Sequence, residues 1–400
     1  MIKNKSITGI PRGFLFAVAE AAIKKPGRKD IALIYSETEA NIAGAFTTNK
    51  VKAAPVKLDI KKIKSGRGQA IIVNSGNANA CTGKKGLGDA DETAALVAKS
   101  MEINNFLVYV CSTGVIGTPM PMEKIKPKIS ELVSNLGNFS LQDVASAIMT
   151  TDTFPKIIKK TITINNKIGT TVGICKGAGM ICPHMATMLC FIMTDIAVEK
   201  RTLSRIIKDS VNKSFNRITI DGDMSTNDTV LIMANGMLGN TELTERSASY
   251  KTFKKTIDEI TYELSRLIVK DGEGATKLIE IKVTGAKNER EAEQAAFAVA
   301  NSNLVKTAIY GNDSNTGRIM AAIGYSGINF DEEKADIYLG NIKVIKKGIS
   351  AGRDLKTNEY LKKNKEIKIR VELNRGRSSA QVLTCDLSEE YVRINAAYRT

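Results

Sequence analysis

The sequence has no tryptophan and a single histidine, His184, and the second shortage limits the catalytic chemistry open to the chain. A Ser-His-Asp or Cys-His arrangement needs a histidine beside its nucleophile, so any such site would have to use His184. No obvious partner lies near His184 in the sequence, and a loop position is the simpler interpretation of this residue. A nucleophile that works without histidine is therefore favoured.

Long apolar runs and paired cysteines are also missing. No run approaches the roughly 20 residues needed to span a bilayer, and the first residues lack the apolar stretch of a secretory signal. The six cysteines include no C-x-x-C pair, which argues against a zinc site or a redox couple and favours buried free thiols. We expect a cytoplasmic protein with no membrane contact and no bound metal.

The formal net charge of +16 raises the question of a nucleic-acid partner, because neutralising phosphates releases counterions. Aromatic residues make up only 5% of the chain, and the lysines and arginines are dispersed, with no stacking residues between them. This pattern argues against nucleic acid as the partner, although a basic binding protein stays open as an alternative. The same charge would attract small anionic substrates.

Short β-rich apolar runs alternate with amphipathic segments, which is typical of an α/β protein. Strands are predicted over residues 31–35, 70–73, 107–110, 342–345, 367–373 and 381–385. Helices are predicted over 91–101, 203–215 and 252–269, and a further helix from Asn288, where Glu291 completes the spacing of a capping box. Gly272 is expected to cap the 252–269 helix, which leaves Glu273 on a turn. The length favours two packed lobes, but composition locates no boundary between them.

The stretch that is most informative about chemistry covers residues 176–189, Lys-Gly-Ala-Gly-Met-Ile-Cys-Pro-His-Met-Ala-Thr-Met-Leu. An apolar run of strand length begins at Thr187, which places this residue at the mouth of a buried strand. Ala186 is small, so the Thr187 hydroxyl has space to attack the preceding carbonyl in an N-to-O acyl shift. Hydrolysis of the ester would free an α-amine, with an ordinary pKa of about 7.7 to 8.0, to act as base for the same hydroxyl. From composition and spacing alone, the favoured interpretation of Thr187 is the first residue of an ordinary strand.

Other ordered motifs accompany this stretch along nearly the whole chain. They are Gly13-Phe14 through Gly27-Arg28-Lys29-Asp30, Asn-Ser-Gly-Asn-Ala-Asn-Ala-Cys-Thr-Gly at 74–83, Ser-Thr-Gly-Val-Ile-Gly at 112–117, Asp-Gly-Asp-Met-Ser-Thr-Asn-Asp-Thr at 221–229, Gly-Glu-Gly-Ala-Thr-Lys at 272–277 and Arg-Ile-Asn-Ala-Ala-Tyr-Arg-Thr at 393–400. In these segments the chain resembles the ornithine acetyltransferases of arginine biosynthesis, also called glutamate N-acetyltransferases.

The resemblance implies a self-cleaving enzyme. The bond between Ala186 and Thr187 would be cut to give an alpha chain, 1–186, and a beta chain, 187–400, which usually assemble as an α2β2 heterotetramer. The implied fold is a layered αββα sandwich of the kind found in self-processing aminopeptidases, with two interlocked lobes. The implied reaction moves acetyl from N2-acetylornithine to L-glutamate, and some members also accept acetyl-CoA as the donor.

The resemblance also implies roles for individual residues. Thr187 would attack the acetyl carbonyl, and the resulting acetyl-threonine ester would pass its acetyl group to glutamate in a ping-pong scheme. Each step forms a tetrahedral oxyanion, for which the family match assigns Thr113 and Gly114 as donors, through a hydroxyl and a backbone N–H. From the residues alone, Gly114 would also suit a turn at the end of a strand.

Substrate contacts are implied at six family positions, namely Thr150, Lys176, Thr187, Glu273, Asn395 and Thr400. Ornithine carries an α-carboxylate and a side-chain ammonium, so its pocket needs a cation and an acceptor set apart. On charge, we assign Lys176 to the carboxylate and Glu273 to the ammonium. Taken singly, the two would suit a solvated lysine and a surface glutamate on a turn.

The C-terminal tail has a helical pattern of its own. Tyr391, Ile394 and Tyr398 recur at near-helical spacing and are expected to dock the tail that carries Thr400. Without the resemblance, a substrate role for a terminal residue would be unexpected, because chain ends are normally frayed.

The chain departs from the family pattern at two places. The family usually has asparagine where this chain has His184, and Pro-Asn-Trp where it has Ser-Asn-Thr at 314–316. Neither departure touches the nucleophile.

The glycine-rich segments 176–179 and 272–277 lack the spacings of a dinucleotide fingerprint and a P-loop, so no nucleotide cofactor is predicted. A self-processing amide hydrolase or aminopeptidase, with water as the acceptor, is the alternative enzyme.

Overall fold

The computed structural model of the chain describes residues 9–182 and 188–397. The chain divides into two compact units, each made of separate stretches. The first unit takes residues 1–177, 184–216 and 224–268, and the second takes 178–183, 217–223 and 269–400. These units differ from the predicted chains 1–186 and 187–400. That division concerns cleavage and stays a prediction.

Fourteen strands and eleven α-helices lie within the described residues. The strands, in chain order, are β1 (Phe14–Ala19), β2 (Ile31–Phe46), β3 (Arg67–Asn77), β4 (Val108–Val115), β5 (Lys156–Ile164), β6 (Lys167–Lys176), β7 (Leu189–Thr194), β8 (Thr229–Ala234), β9 (Leu278–Ala286), β10 (Asp336–Leu339), β11 (Ile342–Lys346), β12 (Ile349–Ser350), β13 (Glu366–Glu372) and β14 (Ser378–Cys385). The helices are α1 (Ala54–Lys62), α2 (Gly83–Met101), α3 (Met122–Ser134), α4 (Leu141–Ala147), α5 (Lys200–Lys213), α6 (Tyr250–Lys270), α7 (Glu289–Ala300), α8 (Asn303–Tyr310), α9 (Thr316–Gly324), α10 (Asp354–Lys363) and α11 (Glu389–Ala396).

The elements predicted from periodicity are present, so the α/β class is confirmed. Asn288 caps α7, and its Oδ1 accepts from the Glu291 backbone N–H at 2.9 Å. Gly272 behaves differently from the prediction, because the left-handed glycine after α6 is Gly274, with φ +70°. At Gly272 the constraint is space, since a Cβ there would approach the Cys385 sulfur to 2.9 Å.

The first unit contains an eight-stranded sheet in the order β4-β3-β2-β8-β7-β6-β5, with β1 paired to β2. Strand β2 belongs to two parts of this sheet, since its first half pairs with β1 and β3 and its second half with β8. The short helix α4 contacts β1 and also β5 and β6, at the far edge of the sheet. The sheet therefore folds over an enclosed apolar core that includes Phe16, Ile71, Phe191 and Leu231.

Helices cover the outer faces of both parts of this sheet. Ile31 and Leu33 of β2 pack with α2 and α3, while the intervening Ala32 belongs to the enclosed core, as the two-residue period of a strand requires. On the other part, a Cβ at Gly173 of β6 would meet Ile260 and Leu264 of α6 at 2.8 Å, so that helix lies directly on the strand. The predicted layering of helix, sheet, sheet and helix is confirmed within this unit.

The second unit is built on a six-stranded sheet in the order β12-β11-β10-β13-β9-β14. Strand β9 runs parallel to β13 and antiparallel to β14, and helix α7 packs on β9 and β14. The departure at 314–316 lies where α9 begins. Ser314 donates two hydrogen bonds there, from its N–H to Asn358 Oδ1 and from its hydroxyl to Asp354 Oδ1, both at 2.9 Å.

The cysteines and the membrane prediction can be compared with the structure directly. All six cysteines are free thiols; four are buried, but Cys81 is exposed and Cys182 is half-buried, so the prediction of burial is wrong for Cys81. Among the helices in 9–182 and 188–397, none combines the length and the apolar character that a bilayer span requires. The cytoplasmic location stays a prediction.

Candidate active site

The ammonium group of Lys176 lies buried at the end of β6, beside two of the predicted site hydroxyls. Its Nζ donates to Thr150 Oγ1 at 2.7 Å and to Thr113 Oγ1 at 3.3 Å, and the residue is only 2% exposed. Thr113 comes from β4, and Thr150 from the loop after α4. A hydroxyl that accepts a hydrogen bond still has its own proton to donate. The fold therefore brings Thr113, Thr150 and Lys176 together, with two polarised hydroxyls around one cation.

A buried carboxylate, Asp152, balances this cation. Its Oδ2 lies 4.0 Å from Lys176 Nζ, and its Oδ1 accepts from Lys156 Nζ at 2.7 Å and from the Gly177 N–H at 2.7 Å. The side chains of Asp152 and Lys156 are fully buried. Burial opposes ionisation of Asp152, but Lys176, Lys156 and the Gly177 amide outweigh it and lower the pKa of the carboxyl to about 2. Asp152 also accepts from the Thr150 N–H at 3.0 Å, which fixes the loop that carries the Thr150 hydroxyl.

Glycine is the one residue type that fits position 114 in β4. Its φ is +135°, and a Cβ there would lie 2.2 Å from the carbonyl carbon of Gly76 in the neighbouring strand β3. The pairing of β3 with β4 changes register between Gly76 and Asn77, opposite this glycine. The irregularity redirects the backbone directly after Thr113. It suits both the predicted strand-end turn and the predicted oxyanion role, and the latter stays a prediction.

Hydrogen bonds tie three of the sequence motifs to one another around Thr113. Asn227 Nδ2 donates to the carbonyl oxygens of Ala78 and Ser112, at 2.6 and 2.8 Å. The Ser112 hydroxyl donates to Asn74 Oδ1 at 2.6 Å. The motifs at 74–83 and 112–117 thus meet residues 224–229 of the third motif at one place in the first unit, which explains why polar residues in all three are buried.

The predicted cleavage residues, Ala186 and Thr187, lie outside the described residues. The residue that follows them, Met188, is buried, and its backbone N–H donates to Asp228 Oδ1 at 3.0 Å. Strand β7 then begins at Leu189 and is buried throughout, so the predicted buried strand is confirmed. Burial raises the pKa of the Asp228 carboxyl well above its ordinary range, against the opposing hydrogen bond from Met188.

Glu273 and Asn395 meet in the second unit. Glu273 lies on the turn after α6, as predicted, and its N–H donates to the Ala178 carbonyl at 2.8 Å. The Nδ2 of Asn395 in α11 donates to Glu273 Oε2 at 2.8 Å. A Cβ at Gly179 would come within 2.3 Å of that carboxylate, so the glycine leaves the space in which the carboxylate lies. Glu273 is thereby fixed from two sides although it sits on a turn.

The C-terminal helix is docked partly as its pattern predicts. The Tyr391 hydroxyl donates to Asp221 Oδ2 at 3.3 Å, and Tyr391 and Ile394 are half-buried. The burial of Tyr391 and the charge of Asp221 raise the pKa of the phenol above its ordinary value. Tyr398 and Thr400 lie outside the described residues, so the predicted substrate role of Thr400 stays a prediction.

Comparison with known proteins shows the family. The model of the ArgJ family matches residues 15–400. The chain belongs to the ArgJ family. It is 51% identical to the arginine biosynthesis bifunctional protein ArgJ of Geobacter sulfurreducens over 97% of this chain and 99% of that protein. It is also 51% identical to the protein of that name from Caldanaerobacter subterraneus subsp. tengcongensis, over 98% of each chain. The family predicted from the motifs is confirmed.

A solved ArgJ structure matches a part of the chain. It is the crystal structure of arginine biosynthesis bifunctional protein ArgJ from Bacillus halodurans, 44% identical, with a TM-score of 0.51. The match covers 98% of that solved chain but only 52% of this one.

Sequence reasoning missed three charged residues of this ArgJ-family site. Asp152 and Lys156 had no motif, and Lys156 opens a Lys-Ile-Ile-Lys-Lys run that resembles a solvated strand edge. Asp228 stood inside a quoted motif, and its position directly before the apolar run at 229–234 was the signal that pointed to it.

Proposed function

We propose that this chain transfers the acetyl group of N2-acetylornithine to L-glutamate through an acetyl ester on Thr187, with ornithine and N-acetylglutamate as products. The enzyme class rests on membership of the ArgJ family and on relatives of the same length named arginine biosynthesis bifunctional proteins. The structural observation that carries the proposal is the buried Lys176 ammonium that holds the hydroxyls of Thr113 and Thr150.

Self-cleavage forms the nucleophile in this scheme. Thr187 Oγ1 bonds to the Ala186 carbonyl carbon, the C–N bond breaks, and the hydroxyl proton ends on the released nitrogen. Water then hydrolyses the ester, which leaves an alpha chain, 1–186, and a beta chain, 187–400, assembled as α2β2. The Bacillus halodurans chain supports this division, because it is matched almost completely and yet corresponds to about half of the present chain.

Acetyl transfer would use the same nucleophile twice. Thr187 Oγ1 attacks the acetyl carbonyl of the donor, the amine of ornithine leaves with a proton, and the amine of glutamate then attacks the ester. The oxyanion of each step would accept from the Thr113 hydroxyl and the Gly114 N–H. A hydroxyl that already accepts from an ammonium is a stronger donor, because hydrogen bonds in a chain polarise one another. Lys176 would therefore assist the oxyanion site through Thr113.

Recognition of the amino acid would use two of the charged residues that the fold buries. Lys176 supplies positive charge for the α-carboxylate, and Thr150 adds a hydroxyl donor beside it. Glu273, held by Asn395, supplies negative charge for the side-chain ammonium of ornithine. Asn395 and Thr400 would complete the site from the C-terminal tail.

Acetyl-CoA would serve as a second donor, and no other cofactor is needed for the scheme. The support is the word bifunctional in the names of the two relatives at 51% identity. In that reaction glutamate would attack the same acetyl-threonine ester, with coenzyme A as the leaving group in place of ornithine.

One incubation tests the proposal. Purified protein is mixed with L-glutamate and either N2-acetylornithine or acetyl-CoA, and N-acetylglutamate, acetate and chain masses are measured. We expect N-acetylglutamate from acetylornithine, two chains cut at 186/187, and an α2β2 mass by light scattering; Thr187→Ala should stay uncut and inactive. Release of acetate without N-acetylglutamate would favour the amide hydrolase, and a fully active uncut chain would contradict the nucleophile.

A further inference from the structure

Residues 219–221 bind the backbone on the upstream side of the predicted cleavage bond, which joins Ala186 to Thr187. In the second unit, Asp221 Oδ2 accepts from the Met180 N–H at 2.6 Å and Asp221 Oδ1 from the Ile181 N–H at 2.9 Å. The Ile181 carbonyl in turn accepts from the Ile220 N–H at 2.8 Å and from the Thr219 hydroxyl at 3.1 Å. Both backbone polar groups of Ile181 are thus held by residues 219–221.

Asp221 also stabilises an unfavourable backbone conformation. Met180 has a φ of +56°, in the left-handed region that residues with a side chain rarely adopt because it is sterically unfavourable. The Met180 side chain is exposed, so apolar burial does not compensate for this conformation. The hydrogen bond from the Met180 N–H to Asp221 is the interaction that favours it.

Asp228 and Thr229 bind the backbone on the downstream side of that bond. In the first unit, Asp228 Oδ1 accepts from the Met188 N–H at 3.0 Å, and the Thr229 N–H donates to the Met188 carbonyl at 3.1 Å. Asp228 is fully buried and its own carbonyl accepts from the Thr47 N–H at 3.0 Å, which fixes its backbone. Both backbone polar groups of Met188 are therefore held as those of Ile181 are.

We propose that Asp221 and Asp228 are positioning residues for self-cleavage, each holding the backbone on one side of the Ala186–Thr187 bond through its carboxyl oxygens. The inference rests on the proposed self-cleavage. An acyl shift within one chain depends on how often the hydroxyl and the carbonyl carbon reach attack geometry, and orientation of this kind can account for large rate effects. Each carboxyl group orders the backbone of its own flank, and a flank that is already ordered loses less conformational entropy when attack geometry is reached.

The two carboxyl groups differ in a way that makes the proposal testable. Asp221 uses both oxygens as acceptors of backbone N–H groups, and an asparagine has only one acceptor oxygen, so Asp221→Asn breaks one anchor. Asp228 accepts from the Met188 N–H through Oδ1, and within the part of the chain that the structure describes its Oδ2 accepts from no backbone N–H. An asparagine at 228 therefore keeps the anchor, whereas Asp228→Ala removes it.

The experiment follows cleavage of the full-length chain in a pulse-labelled cell-free translation, with the precursor and the two products separated on a denaturing gel. The variants are Asp221→Asn, Asp228→Ala and Asp228→Asn, with Asp223→Asn as the matched control, because Asp223 is an exposed carboxylate of the same stretch. Each substitution is also made in a Thr187→Ala chain, whose thermal unfolding reports whether the uncut precursor is folded.

We expect Asp221→Asn and Asp228→Ala to slow cleavage by about tenfold or more, while Asp228→Asn and Asp223→Asn cleave within about twofold of the wild-type rate. When Asp221→Asn or Asp228→Ala is combined with Thr187→Ala, the uncut chain should unfold in a cooperative transition. Folded Asp221→Asn and Asp228→Ala chains that cleave at the wild-type rate would overturn the proposal, as would slow cleavage by folded Asp228→Asn, which would indicate proton transfer instead. A wild-type chain that never cleaves would overturn the proposed function itself.

Discussion

The side-chain amide of Asn395 donates to Oε2 of Glu273 at 2.8 Å, which joins helix α11 to the turn after α6. The two residues lie 122 positions apart in the sequence. Ser388, just before α11, contacts the same turn, because its hydroxyl donates to the Gly274 carbonyl at 2.6 Å. A Cβ at Gly274 would lie 2.6 Å from the backbone nitrogen of Tyr391. The start of α11 therefore packs directly on the turn, and it fixes a carboxylate that would otherwise belong to a solvent-exposed turn.

Glu273→Gln is expected to weaken the use of acetylornithine selectively. Glutamine keeps an oxygen that can accept from Asn395, so the turn stays in place, but it removes the charge that we propose binds the substrate ammonium. A hydrogen bond to a charged group contributes about 1.5–3 kcal/mol, so KM for N2-acetylornithine should rise about 10- to 100-fold. KM for acetyl-CoA, which has no such ammonium, should change little in steady-state assays.

A matched control for this substitution lies on the same helix. Glu390→Gln in α11 also removes one charge, from an exposed pair with Arg393 at 3.4 Å, and it should leave both KM values unchanged. Equal effects of Glu273→Gln on both donors would contradict the assignment of Glu273 to the ammonium.

Sequence reasoning located the elements and the motif residues because both leave local signals. The period of the apolar residues gave α6 within two residues at its start and one at its end, and the spacing from Asn288 to Glu291 gave the cap of α7. The buried cluster of Asp152, Lys156 and Lys176 leaves no such signal. Its charges compensate one another only once β5 and β6 are paired, and a buried lysine has the same local sequence as a solvated one.

Lys176→Met is expected to lower kcat by about 100-fold or more, a loss typical of removing an oxyanion donor. Methionine fills a similar volume without a charge, so the hydroxyls of Thr113 and Thr150 lose their donor. Lys160→Met is the control, because Lys160 lies on β5 in an exposed pair with Glu259. Steady-state rates and thermal unfolding should be measured together. A folded Lys176→Met enzyme with a nearly unchanged kcat would exclude a role for the ammonium in the reaction.

Gly114→Ala is expected to destabilise the protein by about 3 kcal/mol, because the added Cβ is forced against the Gly76 backbone at an unfavourable φ. Gly88→Ala in α2 is the matched control: a Cβ there meets nothing within 4 Å, and alanine in a helix should stabilise by about 0.5–1 kcal/mol. Urea unfolding of both variants measures the difference. A Gly114→Ala protein as stable as the wild type would show that β3 and β4 can separate at this point.

Asp152 gives the stability of the chain a defined dependence on pH. Its pKa is about 2 in the folded protein and has an ordinary value near 3.8, so the folded state favours the carboxylate. The carboxylate therefore contributes about 2 kcal/mol of stability above pH 4, and this contribution is lost as the pH falls from about 4 to 2. Asp152→Asn should be clearly less stable than the wild type at pH 7, and the gap should narrow through that window.

Urea unfolding at pH 7, 4 and 3 measures this gap. The control is Glu131→Gln, which removes one charge from a surface pair with Lys128 and should cost little at any of the three pH values. At pH 7 the loss for Asp152→Asn should exceed the titration contribution, because Lys156 and Lys176 stay buried with less compensation. The difference in stability between Asp152→Asn and the wild type could be small at pH 7, or it could widen as the pH falls. Either result would contradict an ionised Asp152 that compensates the charges of Lys156 and Lys176.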